Sequence, residues 1–192
     1  MRTAVYCSSR DTVPQTYRDD AITIGNYLAQ LGSTLVYGGL DLGMMKVVAR
    51  AAKDAGGRVV GIVPIMRKKY INPINDENVL ALDLNDRKAK MELLSDIFVV
   101  LPGGYGTLDE IISTFSFLTF TADKHKPIIL LNTDGLYDHT IAQLQLMCDR
   151  QLMDPSTMQR IHVARDAKEC CEIIGQHFRP LKHKTNHSES LY

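Results

Sequence analysis

Short runs of apolar residues alternate along the chain with longer segments in which apolar residues recur at every third or fourth position. The short runs predict buried strands, and they lie at residues 3–7, 34–37, 58–63, 79–82, 97–101, 127–131 and 161–164. The longer segments predict amphipathic helices, which begin near Pro14, Met44, Arg87, Thr107 and Tyr137, with a last helix that Asp166 can cap. Because strands that are apolar throughout need cover on both faces, this alternation predicts an α/β fold with a doubly wound parallel sheet.

The helical periodicity ends at residue 178, and a polar stretch follows that contains His183 and His187. We therefore expect one domain over residues 1–179 and a polar, disordered tail over residues 180–192. The pattern is also interrupted between residues 65 and 78, where basic residues, prolines and asparagines replace the apolar periodicity. We interpret this segment as a loop.

Charge and composition narrow the range of partners. The 192 residues carry 22 Lys and Arg against 22 Asp and Glu, so the formal net charge is zero. This balance disfavours a nucleic acid polymer or a membrane surface as the partner, and no apolar run approaches the roughly 20 residues that cross a bilayer. The N-terminal residues lack the pattern of a secretory signal, and the four cysteines show no CxxC spacing. We expect a cytoplasmic protein with reduced thiols and no metal site.

Two glycine-rich segments follow predicted strands. One contains Gly38, Gly39 and Gly43, and the other runs from Pro102 to Glu110. In an open parallel sheet, ligands bind at the carboxyl ends of the strands, where glycines let backbone N–H groups approach a phosphate at the start of the next helix. Neither segment completes a G-x-G-x-x-G or a Walker pattern. A tight turn explains the first segment equally well, so the second carries the stronger prediction of a phosphate site.

Charged residues accompany the second segment. Asp109 and Glu110 fall in the first turn of the predicted helix, where carboxylates also complement the helix dipole. A carboxylate beside a phosphate site suits chemistry on a sugar phosphate, because it can stabilise an oxocarbenium ion or activate water. Arg87 and Lys88 follow the preceding strand and could bind phosphate, although a solvated helix face also explains such a cluster.

The residues from Pro102 to Glu110 match the PGGxGTxxE signature of the Lonely Guy family. The segment 83–88, which ends in Arg-Lys, resembles the second signature of that family, and the segment 37–45 resembles its glycine-rich segment. The N-terminal segment 5–9, together with Pro14 and Tyr17, is also similar. The resemblance extends over residues 3–178 and implies a Rossmann-like fold and a homodimer.

This resemblance implies an enzyme that hydrolyses the N-glycosidic bond of a nucleoside 5′-monophosphate, either AMP or an N6-modified AMP such as a cytokinin nucleotide. The products are the free base and ribose 5-phosphate, and no cofactor is needed. Family members have been labelled lysine decarboxylases, but no residue context here indicates a cofactor-bound lysine. Arg87 and Glu110 correspond to the catalytic pair. The other matched positions are expected to bind substrate, and they are Ser9, Gly38, Gly39, Lys88, Gly103, Gly104, Tyr105, Gly106, Thr107, Asp109 and Ser116.

Several positions depart from the family pattern. Leu40 and Lys46 stand where glycines are common, and Asp41 stands where a serine is common. Leu84 and Asn85 replace a Met-His pair. These changes bear on recognition of the base and leave the catalytic pair intact. The alternative is a non-catalytic carrier of a nucleotide or cofactor on the same fold, similar to molybdenum-cofactor carriers, which would not need that pair.

Overall fold

The computed structural model describes residues 1–121 and 126–178, and within them seven parallel strands form one sheet. The strands are β1 (Arg2–Tyr6), β2 (Thr34–Tyr37), β3 (Val59–Pro64), β4 (Glu77–Ala81), β5 (Ile97–Val100), β6 (Ile128–Leu131) and β7 (Ile161–Ala164). The helices are α1 (Gln15–Gln30), α2 (Gly43–Asp54), α3 (Leu84–Leu94), α4 (Tyr105–Phe120), α5 (Asp138–Asp149), α6 (Pro155–Met158) and α7 (Ala167–His177). Short 3-10 helices lie at Ile65–Tyr70 and Thr133–Gly135. The predicted α/β, Rossmann-like fold is confirmed.

The order of the strands explains where a ligand can bind. Across the sheet the order is β4-β3-β2-β1-β5-β6-β7, so the chain winds outward from β1 to one edge and then from β5 to the other. Val5 of β1 is in register with Tyr37 of β2, and Tyr6 is in register with Val100 of β5. The winding direction therefore changes between β1 and β5, and such a switch point opens a crevice at the carboxyl ends of the two strands.

Each face of the sheet buries its own hydrophobic layer. On one face α1, α2 and α7 cover the strands with residues that include Leu28, Met44 and Ile174. On the other face α3, α4 and α5 do so with residues that include Met91 and Phe115. Because β3, β5 and β6 are buried along their whole length, their sequences read as continuous apolar runs and not as alternating ones.

Two segments differ from the expectation. The segment 65–78, expected to be a loop, contains a 3-10 helix and the first residues of β4. β4 is an edge strand with mostly exposed side chains, so only its end carries an apolar signal. Helix α4 begins at Tyr105 and not at Thr107, and Asp109 and Glu110 therefore lie in its second turn and not in its first.

Three further predictions concern the cap of α7, membrane-spanning helices and the C-terminal tail. Asp166 caps α7 as expected, because its carboxylate accepts a hydrogen bond of 2.8 Å from the backbone N–H of Glu169. None of the helices in residues 1–121 and 126–178 is long and apolar enough to cross a membrane. The expected tail, residues 180–192 with His183 and His187, lies outside the described residues, as does the last residue of the expected domain.

Candidate active site

A cavity of about 240 Å³ opens beyond the carboxyl ends of β1 and β5, at the switch point of the sheet. The loop after β1, the start of α3 and the first two turns of α4 form most of its wall. Its lining residues are Cys7, Ser8, Ser9, Arg10, Met45, Leu84, Arg87, Lys88, Gly104, Tyr105, Gly106, Thr107, Asp109 and Glu110. Most of the site residues expected from the sequence therefore meet in one place.

Arg87 and Glu110 form an ion pair across the floor of this cavity, with Nη2 of Arg87 3.2 Å from Oε1 of Glu110. The side chain of Glu110 is only 8% exposed. Its burial raises the pKa of Glu110 to about 7, although the nearby Arg87 guanidinium acts to lower it and the Asp109 carboxylate adds to the increase. Glu110 can therefore exchange a proton near neutral pH, which is what a catalytic acid or base requires.

The two helices that carry this pair are fixed close to it. Asp83 caps α3 by accepting hydrogen bonds from the backbone N–H groups of Asn85 and Asp86, at 2.8 and 2.9 Å. On α4, Oγ1 of Thr114 donates to the carbonyl of Glu110 at 2.8 Å and lies 2.9 Å from the hydroxyl of Tyr6 in β1. Because Tyr6 and Thr114 are buried, these contacts hold the turn that carries Glu110 against the centre of the sheet.

A second ion pair lies beside the first. Nζ of Lys88 is 2.8 Å from both carboxylate oxygens of Asp109. The Lys88 side chain is mostly buried and the Asp109 side chain is mostly exposed, so this pair closes one side of the cavity towards solvent. Helix α3 thus contributes the two cations and helix α4 the two carboxylates of two neighbouring ion pairs.

The start of α4 faces the cavity through glycine. A Cβ built on Gly104 or Gly106 would meet no atom of the described residues within 4 Å, apart from their own chain neighbours. Gly103 differs, because a Cβ there would collide with the Thr107 side chain. The start of this 16-residue helix therefore borders open space, and the partial positive charge of its first N–H groups suits a phosphate.

The glycines of the earlier segment have protein neighbours instead. Gly38 lies against the Arg87 guanidinium and Sδ of Met45, so it makes room for the Arg87 side chain without lining the cavity. Gly39 has a φ of +73° and packs against Gly61 and Val63, away from the cavity. It supports the site only through the packing of the sheet.

Of the two serines expected to bind substrate, one lines the cavity and the other does not. Ser9 lines the cavity, whereas Ser116 is exposed on α4 and does not line it. The cavity is also lined by Cys7, Ser8, Arg10, Met45 and Leu84, which no sequence motif predicted as substrate-binding residues. The position of residues 7–10 directly after the central strand was the available signal for four of the lining residues.

Most of the residues that differ from the family pattern do not line the cavity. Leu40 is buried and bridges to Ile71, while Lys46 forms an ion pair of 2.6 Å with Asp11. Neither residue lines the cavity, and the same holds for Asp41 and Asn85. Among these departures Leu84 alone reaches the cavity wall.

Comparison with known proteins identifies the family of the chain. A family model described as "Possible lysine decarboxylase" matches residues 45–174. The cytokinin riboside 5′-monophosphate phosphoribohydrolase LOG5 of Arabidopsis thaliana is 35% identical over 182 residues, which cover 94% of this chain and 79% of that protein. LOG3 of the same plant, which carries the same enzyme name, is 34% identical over 178 residues, or 92% of this chain and 82% of that protein.

A solved structure is similar over nearly the same length. The molybdenum cofactor binding protein of the phototrophic bacterium Rippkaea orientalis matches with a TM-score of 0.73 at 25% identity, covering 91% of this chain and 95% of that one. That likeness reports the shared fold, whereas the plant relatives share more of the sequence over an equal span. The chain therefore belongs to the Lonely Guy (LOG) family, the family whose model is described as possible lysine decarboxylases.

Proposed function

We propose that this protein hydrolyses the N-glycosidic bond of a nucleoside 5′-monophosphate and releases the free base and ribose 5-phosphate. The curated relatives are named for this reaction on cytokinin riboside 5′-monophosphates. The observation that carries the proposal is the buried Arg87–Glu110 pair beside the open start of α4. A carrier of the same fold needs a binding surface but has no use for a buried acid paired with an arginine.

Glu110 acts at the sugar. Loss of the base leaves positive charge on the ribose ring, and a buried carboxylate at this point stabilises the cation. Water then adds to C1′ as the bond from C1′ to the base nitrogen breaks. With a pKa of about 7, Glu110 is able to accept a proton from that water near neutral pH. The base leaves with the electron pair of the broken bond and takes up a proton from solvent, while Glu110 returns to solvent the proton that it accepted from the water.

Arg87 stabilises negative charge on the substrate. Its guanidinium stabilises the charge that grows on the departing base, or holds the phosphate, and its fixed fork suits either task. The start of α4 binds the 5′-phosphate through Gly104, Gly106 and Thr107, which line the cavity. Ser9, Lys88, Tyr105 and Asp109 complete the substrate-binding wall, and Gly38, Gly39 and Gly103 support it from behind.

The base is adenine or an N6-modified adenine. Cys7, Met45 and Leu84 give the cavity an apolar portion against which a purine or a prenyl substituent can pack. Leu84 is the departure from the family pattern at this wall, so it is the residue by which this chain would differ from its relatives in choice of base. With a cytokinin nucleotide as substrate, the released base is a cytokinin, and with AMP the activity is that of an AMP nucleosidase.

A homodimer follows from the resemblance and agrees with an exposed apolar surface. Leu82, Leu93, Ile112 and Phe120 are exposed on α3, on α4 and directly after β4, and we call this set the α3–α4 surface. We propose that a second copy of the chain covers it, because large apolar side chains exposed on two neighbouring helices are typical of subunit interfaces. Replacement of Ile112 and Leu93 by lysine should then yield monomers in sedimentation experiments.

We place the protein in the cytoplasm. Cys7, Cys148, Cys170 and Cys171 are all free thiols, and three of the four are buried. Free cysteines are the usual state in a reducing compartment.

The experiment is incubation of the protein with AMP, N6-prenylated AMP and adenosine, with chromatographic detection of base and sugar phosphate. The proposal predicts equal amounts of base and ribose 5-phosphate from at least one of the two nucleotides, and far less base from adenosine. Tight binding of both nucleotides without release of base would instead identify a carrier.

A further inference from the structure

Not every charged side chain around the cavity has an ion-pair partner among the described residues. Arg87 is paired with Glu110, and Lys88 is paired with Asp109. Arg10 also lines the cavity, yet among the residues that the structure describes its guanidinium has no hydrogen-bond or ion-pair partner. Its neighbour Asp11 cannot serve, since that carboxylate is engaged by Lys46 at 2.6 Å. Arg10 is therefore a free cation at the mouth of the site.

The backbone beneath Arg10 is held in place. Its N–H donates to Oγ of Ser8 at 3.1 Å, and the carbonyl of Ser8 accepts a bond of 3.0 Å from the N–H of Met44. The absence of a side chain at Gly43 lets the backbone of Ser9 and Arg10 pack directly on the start of α2. The loop is thus anchored through its main chain, and the Arg10 side chain remains exposed on the side of the cavity.

The charge of the proposed substrate indicates what the Arg10 cation binds. Of the three cations that line the cavity, Arg87 and Lys88 are paired with carboxylates, so Arg10 is the one cation there without a partner among the described residues. The start of a helix adds roughly half a positive charge. A phosphate monoester carries about −1.5 to −2 near pH 7. Arg10 and the start of α4 together nearly neutralise it, whereas α4 alone would leave most of that charge uncompensated.

We propose that Arg10 binds the 5′-phosphate together with the start of α4, and that it is the residue by which this site selects a nucleotide over a nucleoside. This inference rests on the proposed function, because it takes a phosphorylated ribose as the ligand. Arg10 is a binding residue and takes no part in breaking the glycosidic bond. Its loss should therefore change affinity for the phosphate and leave the chemical step intact.

The test compares Arg10→Ala with Arg50→Ala. Arg50 is an exposed arginine on helix α2 that does not line the cavity, so its loss removes the same charge without changing the cavity wall. For Arg10→Ala we expect KM for AMP to rise about tenfold, with kcat within about threefold of the wild type. Arg10→Lys should recover part of the loss, and Arg50→Ala should match the wild type.

Binding measurements separate this inference from the proposed function. By calorimetry, Arg10→Ala should bind ribose 5-phosphate about tenfold more weakly and adenine as tightly as the wild type does. Unchanged affinity for ribose 5-phosphate, or an equal loss of affinity for adenine, would overturn the role of Arg10. If the wild type binds ribose 5-phosphate through Arg10 but releases no base from any nucleotide, the hydrolase proposal fails and the phosphate site stands. If the wild type does not bind ribose 5-phosphate, the role of Arg10 fails.

Discussion

The segment after β2 and the segment after β5 are both rich in glycine and both lead from a strand into a helix, yet their glycines have different neighbours. In the first segment Gly39 and Gly43 are packed against other parts of the chain. In the second, Gly104 and Gly106 border open space within the cavity wall. The same residue type thus serves close packing of the protein in one place and close approach of a ligand in the other.

A glycine pair after a strand can therefore indicate either close packing of the chain or a ligand site. Both segments lie at the carboxyl edge of the sheet, where ligands of such folds bind. The two segments differ in what occupies the space beside each glycine, where another residue would have its Cβ. In the first segment it is another part of the chain, and in the second it is the open cavity. Substitution of each glycine by alanine distinguishes the two cases. The substitution should affect stability in the first segment and substrate binding in the second.

Gly43→Ala should cause the greatest loss of stability. Gly43 has a φ of +51°, and a Cβ there would overlap the backbone of Ser9 and Arg10. Strain and overlap together should lower the free energy of unfolding by about 3 kcal/mol, measured by equilibrium urea denaturation. Gly32→Ala is the matched control, since φ is +68° there but no described atom would lie within 4 Å of the new Cβ. An equal loss in both variants would show that packing against the loop is unimportant.

Glu110→Gln should alter how stability depends on pH. The folded protein raises the pKa of Glu110 to about 7, so between the ordinary value of 4.5 and 7 the folded state holds a proton that the unfolded state has lost. Wild-type stability therefore falls as pH rises through this window. Relative to the wild type, the variant should gain about 2 kcal/mol in free energy of unfolding from pH 5 to pH 8. Parallel urea-unfolding results at the two pH values would contradict the raised pKa.

Gly38→Ala should affect catalysis more than folding. A Cβ at this position meets the Arg87 guanidinium and Sδ of Met45, which are the ends of flexible side chains that can move. We expect the free energy of unfolding to change by less than about 1 kcal/mol, while kcat for AMP falls about tenfold because Arg87 is displaced. A variant with normal kcat would show that Arg87 does not need its observed position.

Gly106→Ala should have the smallest effect on folding and the opposite sign. The position is helical and faces open space, and alanine favours a helix over glycine, so the unfolding free energy should increase by about 0.5 kcal/mol. KM for AMP should nevertheless increase about fivefold, because the methyl group crowds the phosphate at the start of α4. Denaturation and steady-state kinetics on the same preparation check both. Loss of stability here would remove the distinction between the two segments.

The sequence predicted the parts of the fold whose burial is uniform. Strands such as β5 and β6 are buried on both faces, so their apolar runs were sufficient. β4 was only partly predicted because it lies at the edge of the sheet and exposes most of its side chains. The start of α4 was placed two residues late, since Gly104 and Gly106 resemble a loop and conceal the first turn.

The site was predicted where a motif was local and missed where the wall comes from separate segments. Arg87 and Glu110 belong to recognisable short motifs, and the structure brings their side chains to 3.2 Å. Arg10 belongs to none, and Met45 ends a motif that predicts no contact for its side chain. Both reach the cavity because the loop after β1 packs on the start of α2. Contacts of this kind depend on the tertiary structure, and no spacing along the chain encodes them.

The decisive measurement is turnover and binding of AMP by Glu110→Gln beside the wild type. Glutamine keeps the size of the side chain but can neither accept a proton nor carry negative charge. If Glu110 stabilises the ribosyl cation and activates water, kcat should fall at least about a thousandfold, while Kd for AMP stays within about threefold. Release of adenine and ribose 5-phosphate by the variant within tenfold of the wild-type rate would contradict the assignment of catalysis to the Arg87–Glu110 pair.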